Sequence, residues 1–338
     1  MDITEILYHR LLEPSGILVR DIARLEGDII ILGAGGKMGP ALAKLARQAI
    51  DKAGTGQKVI AVSRFSESGT ADDLQQDGIE TISADLLDDR QLQSLPDIKN
   101  VLYLAGTKFG TTGKEPFTWA MNAYLPGRVA EKFRDSNIVV FSTGNVYPLT
   151  PVVLGGPTET YPPEPLGEYA QSCLGRERIF QYSSEKYNTP VLIYRLNYAN
   201  DVTYGVLLEI GRSVMTGKPI DLRMGNVNVI WQGDANEIAL RSLLYCSTPP
   251  RILNVTGPET LSVRWVAGQF GQLLKNTPIF LHEEQSTALL SNASECTRLF
   301  GYPRVSPLKM IELLAEWLQQ GGKTIDKATH FQERSGKF

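Results

Sequence analysis

The chain has 338 residues, 34 Lys and Arg against 37 Asp and Glu, and a formal net charge of −3. At ~100–200 residues per domain that is about two domains, and 42% hydrophobic with 21% charged residues excludes disorder and collagen-like repeats. No basic run marks a nucleic-acid or membrane-surface partner, and no apolar run approaches the ~20 residues of a membrane span.

Residues 1–27 read as a helical preface. Ile3, Ile6, Leu7 and Leu11 fall at helical spacing, Pro14 interrupts them, and Ser15 is placed to cap a second helix carrying Ile17, Leu18, Ile22 and Leu25. DIIILGAGGKMG is a short β-branched run ending in glycines. PALAKLARQAIDKAG after it reads as a helix, with Pro40 in the first turn and Gly54 near the end. KVIAVSRF, IETISADLLDD and NVLYLAGTKF are three further strand segments. PFTWAMNAYLPGRVAEKFRD reads as a helix despite Pro126, and NIVVFSTGNVY as a fifth strand, with TPVLIYRLNYA as a sixth. Continuous apolar strands alternating with amphipathic helices predict an α/β fold, a doubly wound, Rossmann-like parallel sheet with helices on both faces.

Beyond residue 197 the texture changes. VNVIWQGD and RILNVTGPE read as returning strands, and SVRWVAGQFGQLL, SECTRLFGY and SPLKMIELLAEWLQQGG as helices. The expected organisation is a dinucleotide-binding domain over 28–196 plus about 227–248, and a smaller, interleaved α+β substrate domain over about 197–226 plus 249–322. The tail, 323–338, lacks apolar periodicity and reads as a partner-contacting arm or as frayed chain. Trp119, Trp231, Trp265 and Trp317 read as packing residues.

Gly33, Gly35, Gly36 and Gly39, with Lys37 and Met38 among them, lie where the first sheet strand becomes a helix. Glycines permit a tight turn and let backbone amides approach a pyrophosphate, whose charge a helix N-terminus favours. The end of the second strand then bears on the cofactor. A carboxylate there would hold the ribose hydroxyl of NAD, whereas this chain has Ser63 and Arg64. A guanidinium suits a 2′-phosphate, so the residues lean to NADP; an Arg64 that is simply solvated would leave the choice open.

These motifs together resemble the extended short-chain dehydrogenase/reductases, the NAD-dependent epimerase/dehydratase group, from about Asp28 to Leu318. Gly33-x-x-Gly36-x-x-Gly39 fits the family's glycine turn. The resemblance implies that Asp85-Leu86 is the acidic pair at the adenine, and that Ala105, Gly106 and Lys108 lie along the cofactor. It likewise places Asn122 and Asn197 at the cofactor. Phe141-Ser142-Thr143-Gly144-Asn145-Val146-Tyr147 is similar to the segment carrying the catalytic hydroxyl, which falls on Thr143. Val255-Thr256-Gly257 and Ser262-Val263 resemble a turn of the substrate domain.

The family's YxxxK motif is incomplete here. It reads Tyr169-Ala170-Gln171-Ser172-Cys173, with Pro165 before and Glu177 after it in register. A tyrosine with an ordinary pKa near 10 is phenolate in only about one molecule in a thousand at pH 7. Bringing that value to neutrality takes about 4 kcal/mol, which a neutral thiol does not supply. Lys108, Arg176, Arg178 and the cofactor's own nicotinium ring are the candidate cations, Lys108 foremost on family geometry.

Two functions follow. In one, Tyr169 and Thr143 form a proton-transfer pair in an NAD(P)-dependent oxidoreductase or epimerase acting at a hydroxyl-bearing carbon of a sugar-like or polyol substrate. In the other, the chain is a catalytically impaired NAD(P)-binding sensor or assembly subunit. A metal or thiol enzyme finds little support, because His9, His282 and His330 are scattered and Cys173 reads better as filler than as nucleophile.

The resemblance places Asn145, Tyr198 and Asn200 at the substrate, with Asn197, the 212–231 stretch and Gly156-Pro157 around it. Asparagine, as at Asn228, stands where a diphosphate would want charge, although Arg212 and Arg223 are near in sequence, so a smaller polyol, sugar or sugar acid is favoured over a UDP-sugar. A homodimer through the Asn122 and Tyr169 helices is expected, with Ala130, Phe133, Ile179 and Phe180 on its face. The cysteines Cys173, Cys246 and Cys296, odd in number and widely spaced, and an N-terminus without a signal-like apolar stretch fit a cytoplasmic protein.

Overall fold

The structure, a computed structural model, describes residues 8–108, 113–325 and 328–337. The expectations at Ile3, Ile6 and Leu7 lie outside the described residues. The large sheet is built from β1 (Ile29–Leu32), β2 (Val59–Ser63), β3 (Glu80–Ser83), β4 (Asn100–Tyr103), β5 (Asn137–Thr143), β6 (Val191–Leu196) and β7 (Arg251–Val255). All pairings in it are parallel, in the spatial order β7-β6-β5-β4-β1-β2-β3. The order reverses between β1 and β4, which opens a crevice at the carboxyl ends of those strands. β1 and β4 are buried along their whole length, as strands covered on both faces must be.

The helices fall into three groups. On one face of the sheet, α1 (Gly16–Ile22), α2 (Gly39–Ala53), α9 (Gln232–Ser242) and α11 (Ser294–Phe300) enclose one core. On the other, α4 (Asp89–Gln93), α6 (Leu125–Lys132) and α7 (Gly167–Tyr187) bury Leu92, Val129, Phe133 and Phe180. A separate core is formed by α8 (Val206–Thr216), α10 (Val263–Leu274) and α12 (Pro307–Gln319) around Trp231 and Phe270. The short α3 (Thr70–Gln76) and α5 (Glu115–Trp119) complete the set named here.

Several sequence expectations shift. The expected substrate domain takes in Arg251–Val255, yet this segment pairs with β6 over five residues as the edge of the large sheet. Its continuous apolar run, RILNV, is what a parallel sheet takes. VNVIWQGD is not one strand: Asn226–Val227 and Ile230–Trp231 are two-residue bridges, and Gln232 already begins α9. The helix interrupted by Pro126 carries a widened turn over Ala120–Tyr124, where the Leu125 amide bonds back to the Ala120 carbonyl. Pro126 has no N–H to give the Asn122 carbonyl, so the regular ladder fails there.

Ala130, Phe133 and Phe180 do not face outward. They are at most 2% exposed, in the chain's own core, because α6 and α7 pack on the sheet through those positions. The large apolar side chains exposed nearby are Phe117 and Trp119 on α5, Tyr124 in the widened turn and Tyr182 on α7. Trp231 is fully buried as expected, whereas Trp119 and Trp265 are more than a third exposed.

The preface is stitched to the body. The Ser15 hydroxyl accepts from the Leu18 amide, capping α1, and donates to Glu237 on α9 at 2.5 Å. Tyr8 donates to Asp201 at 3.1 Å and stands edge-on to Trp231. Among the described residues of the tail, Phe331 is 1% exposed in the second core, so the chain is packed and not frayed there.

Candidate active site

A cavity of about 730 Å³ runs along the carboxyl ends of the strands, and its wall holds Gly33, Gly35, Gly36, Lys37, Met38 and Gly39 at one end. Gly33 has φ +90°, and a Cβ on it would meet the Ala105 amide nitrogen at 2.6 Å, so the turn after β1 requires glycine. On Gly36 a Cβ would meet nothing closer than the Gly33 carbonyl at 3.5 Å. The space a side chain would take there is left open. Met38 offers no side-chain cap to α2, a 15-residue helix whose first turn lines the same cavity. Open glycine backbone beside an uncapped helix N-terminus is a fitting cradle for a pyrophosphate.

Further along, the same wall holds Gly106, Lys108, Thr143, Tyr169 and Tyr198. Thr143 ends β5, and its hydroxyl accepts from the Asn145 amide at 3.2 Å. Tyr169 lies in the first turn of α7, with its side chain hydrogen-bonded to those of Cys173 and Thr143. Burial, with Cys173 beside it, pushes the phenol well above its ordinary pKa, so Tyr169 carries its proton at neutral pH.

A buried network sets the spacing between these hydroxyls. Arg195 on β6 grips Glu177 on α7 through two bonds of 2.9 and 2.6 Å, and the Ser142 hydroxyl on β5 donates to Glu177 at 2.5 Å. Arg195 also donates to the Tyr147 oxygen at 2.6 Å, and Tyr147 to Asn254 at 2.8 Å. The neighbours of Thr143 are thereby tied to the helix of Tyr169.

Of the four candidate cations, the geometry separates the three that belong to the chain. Arg178 is exposed and bonds Gln181. Arg176 is buried, donating to the Phe141 carbonyl at 2.6 Å and to Asn122 at 2.8 Å, beneath Gly106. Lys108 lines the cavity, with Nζ 5.9 Å from the centre of the Tyr169 ring, and burial lowers its pKa to about 8. Cys173 is 1% exposed, and burial raises its thiol, so it stands behind Tyr169 as a neutral filler.

Other expected site residues sit behind the wall or beside it. Ser63 packs under the glycine turn, where a Cβ on Gly35 would lie 2.5 Å from its hydroxyl. Arg64 is exposed next to it and does not line the cavity, whereas Glu67 and Thr70 do. Asp85 accepts from the Leu87 amide at 3.0 Å, Leu86 is buried in the core, and Ala105 is the residue Gly33 packs against. Asn122 is fully used: its oxygen accepts from Thr107 and Arg176, and its amide donates to Thr107 and Ser172. It braces the 106–108 segment from behind. Asn197 is buried beside Gly144, its Nδ2 without a hydrogen-bond partner among the described residues. Asn200, expected at the substrate, spends its side chain on the Tyr198 carbonyl and the Leu207 amide. Sequence reasoning missed Glu67, Tyr204, Gln232, Ile325 and Thr329 in the wall. Only contacts far apart in the chain put them there, and no local pattern marks them.

A model of the NAD dependent epimerase/dehydratase family matches residues 29–200, the stretch from β1 to just beyond β6. The chain belongs to that family. Membership places it among enzymes that depend on a nicotinamide dinucleotide. Solved structures of the same fold include the UDP-glucuronic acid 4-epimerase of Bacillus cereus in complex with NAD, at 19% identity and a TM-score of 0.70, covering 88% of this chain and 100% of that one. The UDP-Glc/GlcNAc 4-epimerase of Campylobacter jejuni is 18% identical with a TM-score of 0.70, covering 87% and 100%. The UDP-glucose 4-epimerase of Thermotoga maritima, with UDP-glucose, is 15% identical with a TM-score of 0.69, covering 87% and 99%. At such identities the likeness is one of fold. The sequence matches none of the curated proteins. Cys173 stands at the fourth position after Tyr169.

Proposed function

We propose that this chain is an NADP-dependent oxidoreductase or epimerase acting at a hydroxyl-bearing carbon of a sugar-like or polyol substrate, with Lys108 in the role of the missing lysine. The observation that carries the reading is that Thr143, Tyr169 and Lys108 share one cavity wall with the glycine turn. The pyrophosphate would rest on Gly35, Gly36 and the start of α2. The nicotinamide ring, when bound, supplies the acceptor or donor of a hydride.

The chain's own residues handle the proton. Thr143 orients the substrate hydroxyl, and Tyr169, a protonated phenol, exchanges its proton with that oxygen. To accept a proton Tyr169 must pass its own onward, and Lys108, with a pKa lowered to about 8, is matched to receive it near neutrality. Oxidation needs Lys108 neutral, so kcat/KM for alcohol oxidation rises with pH through about 8. Reduction needs it charged and falls over the same range. Lys108→Met removes this step from the pH–rate profile; an unchanged profile would show that Lys108 is not the relay.

NADP is the proposed cofactor because Arg64 follows Ser63 at the end of β2. Glu67 in the cavity wall favours a second reading, NAD, since a carboxylate there repels a 2′-phosphate and accepts from a ribose hydroxyl. Arg64→Ala separates them. Loss of one charge-assisted pair weakens NADPH by about 10- to 100-fold and leaves NADH within about threefold. Equal effects on both would assign NAD. The binding-module alternative draws on Cys173 alone, and Tyr169→Phe decides it.

A further inference from the structure

The described residues of the tail do not leave the molecule after α12. Ile325 donates to the Thr203 carbonyl at 2.8 Å, and Thr329 gives its amide and hydroxyl to Glu209 at 3.0 and 2.6 Å. Ile325 and Thr329 both line the cavity that holds Tyr169 and the glycine turn. Arg334 then donates to the Arg223 carbonyl at 2.9 Å and to the carbonyl and hydroxyl of Thr287 at 2.8 and 2.6 Å. Gly336 ends against Leu166 and Gly167, at the start of α7. Its φ is +77°, and a Cβ on it would collide with the Leu166 carbonyl oxygen.

The tail thus passes from the cavity wall beside the second core to the helix that carries Tyr169. Ile325 and Thr329 stand in the wall of the cavity that holds Thr143 and Tyr169, and Arg334 and Gly336 bridge from the Arg223 and Thr287 carbonyls to the start of α7. The guanidinium groups there are also committed. Arg223 holds Asp221 through Nε and Nη2 at 3.0 and 2.6 Å, and Arg334 is spent on Arg223 and Thr287. A diphosphate finds no ready cation in that pair.

We infer that the C-terminal tail, fastened by Thr329 to Glu209, by Arg334 to Thr287 and by Gly336 to the start of α7, is a specificity wall that admits a free sugar or polyol and excludes one carrying a nucleoside diphosphate. The inference names the substrate class for the function proposed above and rests on that reading of the cavity.

The test is calorimetric titration of UDP-glucose into the full chain and into an Arg334→Ala/Gly336→Ala variant, each with and without NADPH. The variant releases the last fastening and leaves Phe331 in its core. It is expected to bind UDP-glucose at least about tenfold more tightly than the full chain, because a steric block against one ligand class is lifted. Equal affinity in the two chains, whether measurable or nil, overturns the inference. A second readout needs no variant: hydrogen exchange at the amides of Thr329, Phe331 and Glu333 in the full chain. UDP-glucose that binds while these amides stay protected overturns the inference; binding that deprotects them supports it, and failure of the full chain to bind supports it only where the variant binds. Failure of the cofactor reading is distinguishable, since it appears as an absence of NADPH binding to both chains.

Discussion

Tyr169→Phe is expected to lower kcat by about 10²- to 10⁴-fold, the usual range for removing a positioned general acid–base, while the affinity for NADPH stays within about twofold. The phenol oxygen is the part of Tyr169 bonded to Thr143 and Cys173, and the ring contributes to the wall without it. Phenylalanine keeps the packing against Val146, Tyr147 and Cys173, so folding is preserved. Single-turnover measurement of nicotinamide reduction separates the two quantities. An unchanged kcat would move the proton transfer elsewhere and favour the binding-module reading.

Glu177→Ala is expected to cost about 3–5 kcal/mol of stability, since it leaves the Arg195 charge in the interior without its partner. The two side chains are at most 1% exposed. Glu177 also accepts from the Ser142 hydroxyl, so one substitution orphans groups on β5 and β6 together. Urea denaturation with the m-value held constant reads the loss directly. Removing both charges, as Glu177→Leu/Arg195→Met, should recover much of it, because an apolar pair of similar volume has no charge to desolvate. A loss below about 1 kcal/mol for Glu177→Ala would mean that water reaches the pair.

How far the sequence reached depends on the range of the interaction involved. The glycine turn was legible because strand, turn and helix are contiguous, and Gly33 must adopt a positive φ whatever the rest of the chain does. The parallel sheet was legible because buried strands such as Ile29–Leu32 and Val191–Leu196 are nearly all apolar. Tyr169 and Thr143 could be placed by motif, and the structure brings them into one wall. What the motif could not show is which cation accompanies them. Arg176 is seven residues after Tyr169 on the same helix, yet it is tied down by Asn122 and the Phe141 carbonyl, while Lys108 comes from the loop after β4.

Elsewhere one residue type serves two roles. Asn122 and Asn200 look like ligand-binding amides in sequence, and in the fold their side chains hydrogen-bond groups of the chain itself. Ala130, Phe133 and Phe180 sit on helices with two apolar faces, and periodicity does not say which face the sheet takes. The tail has no pattern because its order comes from single contacts, such as Arg334 with Thr287, 47 residues away in the chain.

The central claim is that the crevice at β1 and β4 holds a nicotinamide dinucleotide against Tyr169. A fluorescence titration of the purified chain with NADPH and NADH side by side tests it most directly. The account predicts saturable binding of both, with NADPH the tighter by about tenfold or more through Arg64. Saturation by neither would contradict it, and with it the assignment of the glycine turn.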